Sequence, residues 1–380
     1  MTDATLRGAR PNLVRDALEH GDSLPGTAGF AGEIDGQLVR DVLGRVPLFV
    51  DGAADTAHAS PAWAFEPTAL EDPVLFPPGA VAPVGDPLPD AESHWALPNP
   101  TPESDHDAAL EALTEAIETA TASVRRTDRD IAVAFSGGVD SALVAELLDA
   151  PLYVVGFPDS HDVEAARTAA DAMGRELTVV DLEPADLERA VPAVARATGR
   201  TNAMDVQIAL PLYLVGERVA ADGFDALAVG QGADELFGGY EKVVRLDHRV
   251  EAETVRGAVR EGIRSLSDQL PRDVLTVEAT GLEPVAPFLH DAVVEAALRL
   301  PDELLADADE RKRGFRRVAA RYLPDEVASR DKKAVQYGSL VARELDRLAR
   351  QAGYKRRMDD HVDKYVESLL ADAETRTGSD

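Results

Sequence analysis

Ala134-Phe135-Ser136-Gly137-Gly138-Val139-Asp140-Ser141 decides how the other residues of this 380-residue chain are read. It follows a continuous apolar run, Ile131–Phe135, of the length and kind expected of a strand buried on both faces. It opens a helix over Val139–Leu148. Gly137 and Gly138 allow a tight turn and bring bare N–H groups close to an anion. The Ser136 and Ser141 hydroxyls add donors, and the helix N-terminus aims its partial positive charge at the same place. Asp140 is out of place in a site for phosphate alone. A Mg²⁺ bridging it to phosphate oxygens removes the conflict. An unliganded strand–turn–helix explains two glycines but not the run Ser-Gly-Gly-x-Asp-Ser. The loop is also distinct from the Gly-x-x-x-x-Gly-Lys-Ser/Thr phosphate loop.

Working outward, the alternation continues. Leu152–Phe157, Leu177–Leu182 and Ala226–Val229 read as further strands. Asp162–Met173, 185–197 and 206–221 read as helices, as does 107–126 before the loop. Strands and helices in this order predict an α/β domain with a doubly wound, mostly parallel sheet. After Phe237 the strand signal fades, and 240–370 read as mostly helical. Eight prolines between Pro77 and Pro102 exclude a continuous helix or a central strand there. Before them, Ala28–Ile34, Leu38–Asp41 and Val46–Val50 are short strand candidates. The expected division is a small β-rich part with a Pro-rich connection over 1–100, and the α/β domain with its helical C-terminal part over 101–380.

A second motif follows the fourth strand: Gly230-Gln231-Gly232-Ala233-Asp234-Glu235-Leu236-Phe237-Gly238-Gly239-Tyr240. Open α/β sheets bind ligands at the carboxyl ends of their strands. Asp234 could therefore hold the same Mg²⁺ as Asp140, with Glu235 beside it as a second carboxylate. A helix N-terminus with two acids explains Asp234 and Glu235 but not the density of glycine.

The first motif resembles the pyrophosphate loop of the ATP pyrophosphatase superfamily. Together the two motifs resemble the asparagine synthetase and β-lactam synthetase family, an adenine nucleotide alpha hydrolase-like fold. Other segments carry the same resemblance in order: Val155–Asp162, Asp205-Val206-Gln207 with Leu210–Tyr213, Gly281-Leu282-Glu283 with Pro287-Phe288-Leu289, and Arg330-Asp331-Lys332-Lys333 with Gln336–Ser339. It covers about residues 107–345. The resemblance implies that Ser136, Gly137, Gly138, Asp140 and Ser141 hold pyrophosphate, and that Asp140 and Asp234 bind Mg²⁺. It implies that Ala134, Val155 and Gly230 line the nucleotide site, and that Lys332 is the catalytic lysine, with Lys333 in reserve. Glu283 and Glu235 are the candidate catalytic carboxylates. The implied reaction is ATP-dependent amide formation through an acyl-adenylate, with aspartate and ammonia as substrates. Other carboxylate substrates and a non-catalytic nucleotide-binding role are the alternatives.

Three positions depart from the family pattern: Gln231 stands for Glu or Tyr, Val285 for Arg, and His290 for Asp. Arg40-Asp41-Val42-Leu43-Gly44-Arg45-Val46-Pro47-Leu48 resembles part of the family's glutaminase domain. That domain's nucleophile is a cysteine at position 2, where this chain has Thr2, and the sequence contains no cysteine. The expectation is a truncated class II glutamine amidotransferase remnant without glutaminase activity, with nitrogen supplied as ammonia or by a separate glutaminase.

Composition narrows the partners. A net charge of −30 repels phosphate backbones, which argues against nucleic acid and against a tRNA-modifying enzyme. Only six of 39 basic residues are lysine, and acidic residues are spread along the chain. The pattern resembles proteins of salt-loving archaea. No apolar stretch approaches a membrane span or a signal-peptide core, so a cytoplasmic setting is expected.

Overall fold

Period-two alternation organises the N-terminal strands of the computed structural model, which describes residues 5–52, 63–85, 91–241, 243, 250–307, 310–330 and 339–377. Strands β1 (Leu6–Arg7), β2 (Ala31–Ile34), β3 (Gln37–Arg40), β4 (Phe49–Asp51), β5 (Trp63–Ala64), β6 (Pro73–Leu75), β7 (Ala80–Pro83) and β8 (Glu92–Ser93) make two antiparallel sheets. The larger has the order β1-β2-β3-β7-β8 and the smaller β5-β4-β6. Ala31, Leu38, Ala80 and Ala82 turn to one side and pack with Leu48, Val50 and Phe76 of the region of the smaller sheet. Ile34 and Val39 turn to the other side and pack with Phe30, Trp95 and helix α1 (Pro11–His20) through Val14 and Ala17. Neighbouring residues such as Leu38 and Val39 thus serve opposite faces.

Compactness divides the chain into two units. One comprises residues 1–127, 230–271 and 286–322, and the other 128–229, 272–285 and 323–380. In the first unit, Arg40 is fully buried and donates to three backbone carbonyls, those of Val46, Phe76 and Gly44, at 3.1, 2.6 and 2.6 Å. Burial pulls its pKa down to about 10. The Arg-Asp-x-x-Gly segment therefore does structural work here. Replacing Arg40 with Met leaves three buried carbonyls without donors. We expect a loss of about 3 kcal/mol or more, read as a lower denaturant midpoint at unchanged slope; an unshifted midpoint would show the network to be dispensable. Asp41 and Arg45 extend the network: Arg45 Nε pairs with Asp41 at 2.8 Å and Arg45 Nη1 with Asp291 at 2.7 Å.

The proline-rich segment corrects the sequence reading: it holds β7, a strand paired with β3 on one side and β8 on the other, with Pro83 at its end. From Leu97 to Pro100, arginines supply the partners of its carbonyls. Arg260 donates to the carbonyls of Leu97 and Pro98, and Arg256 to that of Pro100. Both arginines lie on the helix Val255–Glu278. Helix α2 (His106–Arg125) then begins with Asp105 capping the N–H groups of Asp107 and Ala108. This unit also holds the helices Ala233–Phe237, Asp291–Leu298, Asp302–Leu305 and Arg313–Ala319.

The second unit is built on a parallel sheet of β9 (Ile131–Ala134), β10 (Leu152–Gly156), β11 (Leu177–Asp181), β12 (Ala226–Ala228) and β13 (Glu283–Val285) in the order β11-β10-β9-β12-β13. The buried runs place β9 and β10 inside it, as apolar continuity predicts. Helices α3 (Val139–Leu148), α4 (His161–Met173), α5 (Pro184–Thr198) and α6 (Ala203–Ala221) connect the strands. Val191, Val194, Leu210 and Leu214 of α5 and α6 pack in one core with Tyr153 and Leu227. The chain order 2-1-4 about β9 makes a crevice-forming reversal at the carboxyl end of that strand. Strand β13 is a correction: this stretch reads as helical in sequence. It is only three residues long, and Pro284 argues against a strand. At the sheet edge, a missing N–H is tolerated. No helix among the described residues is long and apolar enough to cross a membrane.

Candidate active site

Strand β9 delivers the loop 135–138 to the carboxyl end of the sheet, and Gly137 is required there for two reasons. Its φ of +71° lies in the left-handed region, and a Cβ on it would sit 2.5 Å from the Ala165 carbonyl oxygen of α4. Ser136 N–H donates to Ser141 Oγ at 3.2 Å, and the two hydroxyls lie 3.3 Å apart. Ser141 Oγ also lies 3.2 Å from the Gly138 carbonyl oxygen, so the hydroxyls are tied to each other and to the loop backbone. Gly138 is the N-cap of α3 and provides no side-chain cap. The helix opens with its N–H groups available to an anion. Asp140, in the first turn, is 2% exposed. Val155 lies on β10, two residues beyond Tyr153, the partner of Ala134, and so lies level with the start of the loop. Gly230 follows β12 at the carboxyl end of that strand.

The same unit brings in a residue that the sequence reading quotes only as part of the lysine motif. Arg330 Nη1 donates to the Ala165 carbonyl at 2.9 Å, the oxygen against which Gly137 packs. Its position next to a lysine pair was the available signal. Beyond the described break, the Ser339 carbonyl accepts from Phe157 N–H at 3.3 Å, just past the end of β10. Lys332 and Lys333, with Gln336 and Tyr337, lie outside the described residues, but both flanks of that segment are anchored beside the carboxyl end of this sheet.

In the first unit, the second motif forms the short helix Ala233–Phe237 between two left-handed glycines, Gly232 and Gly238. Phe237 stacks on Phe315 at 4.7 Å, and Phe288 packs edge-on against Phe315 at 5.1 Å. This aromatic cluster fixes the helix. Asp234 is paired with Lys312: Nζ lies 2.6 Å from Oδ1. Glu235 is buried and accepts from the Tyr240 hydroxyl at 2.5 Å. Burial raises its pKa, and the Asp234 charge adds to the rise. Lys312 is absent from the sequence-level candidates, since nothing local connects it to a motif 78 residues earlier.

The sequence profile of the asparagine synthase family matches residues 112–276 and 263–377. The chain belongs to the asparagine synthase family. A Methanocaldococcus jannaschii protein named "Putative asparagine synthetase (glutamine-hydrolyzing) 1" is 29% identical over 309 residues, 71% of this chain and 57% of that protein. Asparagine synthetase B (glutamine-hydrolyzing) of Escherichia coli is 25% identical over 62% of this chain and 47% of its own. The human asparagine synthetase (glutamine-hydrolyzing) is 29% identical over 56% and 40%. The chain spans about half the length of the curated relatives it matches. Among solved structures, the U34-tRNA thiolase NcsA of Methanococcus maripaludis, with its [4Fe-4S] cluster, aligns at 11% identity and a TM-score of 0.27 over 70% of this chain and 80% of that one. A score that low carries no argument.

Sheet register gives the level at which Glu283 stands. Register pairs it with Ala226, which pairs with Ile131 at the start of β9. Four to five residues of strand, about 15 Å at the usual rise, separate that level from the phosphate loop. Glu283 instead meets Arg129 at 2.6 Å, both partly exposed. Its catalytic role is expected from the family motif alone, and the register and the Arg129 pair speak against it. We expect Glu283→Gln to leave pyrophosphate release within about twofold of wild type, the range of a surface substitution; a loss of tenfold or more would return it to the site. Glu235, the other carboxylate expected to be catalytic, lies buried beside Asp234 with its carboxyl on the Tyr240 hydroxyl. Val285 is buried on β13 where the family has Arg. His290 caps the helix Asp291–Leu298, its Nδ1 accepting from Ala292 N–H at 3.2 Å, and burial lowers its pKa, so the ring is neutral.

Proposed function

We propose that this chain is a cytoplasmic ATP-dependent amide-forming synthetase that makes asparagine from aspartate and ammonia, releasing AMP and pyrophosphate. The observation that supports the reading is the N-terminus of α3, without a side-chain cap, behind a glycine-shaped loop that carries two serine hydroxyls 3.3 Å apart, in a member of the asparagine synthase family. A carboxylate oxygen attacks the α-phosphorus, the bond to the β-phosphate bridging oxygen breaks, and pyrophosphate leaves. Ammonia then adds to the acyl carbon, AMP leaves with the acyl oxygen, and a proton is lost from nitrogen. Ser136, Gly137, Gly138 and Ser141 hold the pyrophosphate. Ala134, Val155 and Gly230 line the nucleotide. Lys332 balances the charge that develops on phosphorus and on the leaving group.

Mg²⁺ fits the donor set in kind. Asp140 and Asp234 are hard oxygen ligands. Among the described residues no three His, Cys, Asp or Glu side chains gather as a cage, so the two aspartates would hold the ion only together with other oxygen donors. When bound, the ion supplies charge neutralisation of the polyphosphate. Residues 1–100 are proposed as a glutamine amidotransferase-like remnant. With no cysteine this chain supplies no thiol nucleophile, and free ammonia or a separate glutaminase provides nitrogen.

The test is pyrophosphate release in molar KCl with Mg-ATP and aspartate, comparing ammonia with glutamine. Release with ammonia alone, together with asparagine, supports the proposal. Release with glutamine alone contradicts the nitrogen source. ATP binding without release under either condition contradicts the substrate assignment, and Gln231 becomes the first residue to question.

A further inference from the structure

Lys312 is one of six lysines, and its surroundings are unusual for a lysine. Its side chain is 6% exposed and its ammonium lies 2.6 Å from Asp234 Oδ1. Asp234 itself retains 27% exposure, so the pair is buried on the lysine side and partly open on the aspartate side. The backbone of Lys312 is left-handed, with φ of 56°, at the head of the helix Arg313–Ala319. That conformation is uncommon outside glycine and asparagine, so the surrounding structure holds it there. Gly239 closes the pair: a Cβ there would fall 2.0 Å from Asp234 Oδ1 and 2.5 Å from Lys312 Cε. Gly239, one of the glycines that a helix cap leaves unexplained, thus lets the backbone lie against the ion pair.

We propose that Lys312 is a positioning residue that makes Asp234 accept a divalent cation carried on a nucleotide polyphosphate and refuse the free cation. The inference rests on the reading of Asp234 as a Mg²⁺ ligand. An aspartate alone attracts a bare dication. An aspartate whose inner oxygen is held by an ammonium is locally neutral, and the ammonium repels the dication. A cation bound to triphosphate arrives as a complex of net negative charge, which the ammonium attracts. The same charge therefore opposes one ligand and favours the other, and it also fixes which oxygen Asp234 presents.

The experiment measures Mn²⁺ binding by electron paramagnetic resonance, with and without α,β-methylene-ATP, at one salt concentration. Lys312→Met is expected to bind free Mn²⁺ at least about tenfold tighter, and Mn²⁺–analogue at least about tenfold more weakly, than wild type. Lys312→Arg, which keeps the charge, is expected to shift neither in that way. Lys312→Gln keeps a donor to Oδ1 without the charge and repeats the comparison should the methionine variant melt early. A merely structural lysine would make both affinities fall together, and that result overturns the inference, as does no change in either. Asp234→Asn separates the two failures. If it leaves both affinities at wild-type values, the metal role of Asp234 is wrong and the inference falls with it. If it weakens the Mn²⁺–analogue complex while the neutral Lys312 variants change nothing, only the inference falls.

Discussion

Gly137→Ala is expected to abolish nucleotide binding, weakening it by about 100-fold or more. A left-handed backbone costs a residue with a Cβ about 1–2 kcal/mol. Steric overlap costs more. The new methyl would lie 2.5 Å from the Ala165 carbonyl oxygen, 2.6 Å from its carbon and 2.7 Å from Ala166 N. These are backbone atoms of α4, which cannot move aside as a side chain can. Either α4 shifts or the loop does, and Arg330, bonded to the same carbonyl, moves with it. Gly174→Ala is the control: φ is +65° but no atom lies within 4 Å of the added carbon. It is expected to cost about 1 kcal/mol of stability and leave binding intact. Titration of a non-hydrolysable ATP analogue, with a melting curve for each variant, reads both. Near-normal affinity in the Gly137 variant would mean that the loop does not hold the nucleotide.

Lys332→Ala is expected to lower pyrophosphate formation by about 100- to 1,000-fold, the range seen when one preorganised charge facing a transition state is removed. ATP affinity should change little, because the lysine acts on charge that develops only as the α–β bond breaks. Lys333→Ala separates the two candidates in one comparison. A dead Lys333 variant beside an active Lys332 variant transfers the role. Normal turnover in both ends the assignment and leaves Arg330, the cation seen beside the loop, as the next to replace.

Much of the second unit is legible without coordinates. Runs such as Ile131–Ala134 and Leu152–Gly156 are apolar at every position because both faces of their strands are covered. Helix starts announce themselves through local side chains, as Ser160 does by accepting from Val163 N–H. The loop at Ser136–Ser141 is equally local: its glycines, hydroxyls and helix lie within eight residues. Glu283 shows where such reading stops. A motif match identifies the residue, but only strand register says at which end of the sheet it stands. His290 fails in the opposite direction, a departure from the family pattern that proves to be a helix cap.

Sequence alone determined the strand–loop–helix unit and the family, because each rests on short-range pattern or on several motifs in order. Tertiary structure decided which charges meet. Lys312 reaches Asp234 across 78 residues, Arg45 reaches Asp291 across 246, and Arg330 reaches the Ala165 carbonyl across 165. No local propensity encodes such pairs. They form because the packing of apolar faces brings the segments together, and a buried charge must then find a partner among the groups that packing has placed beside it.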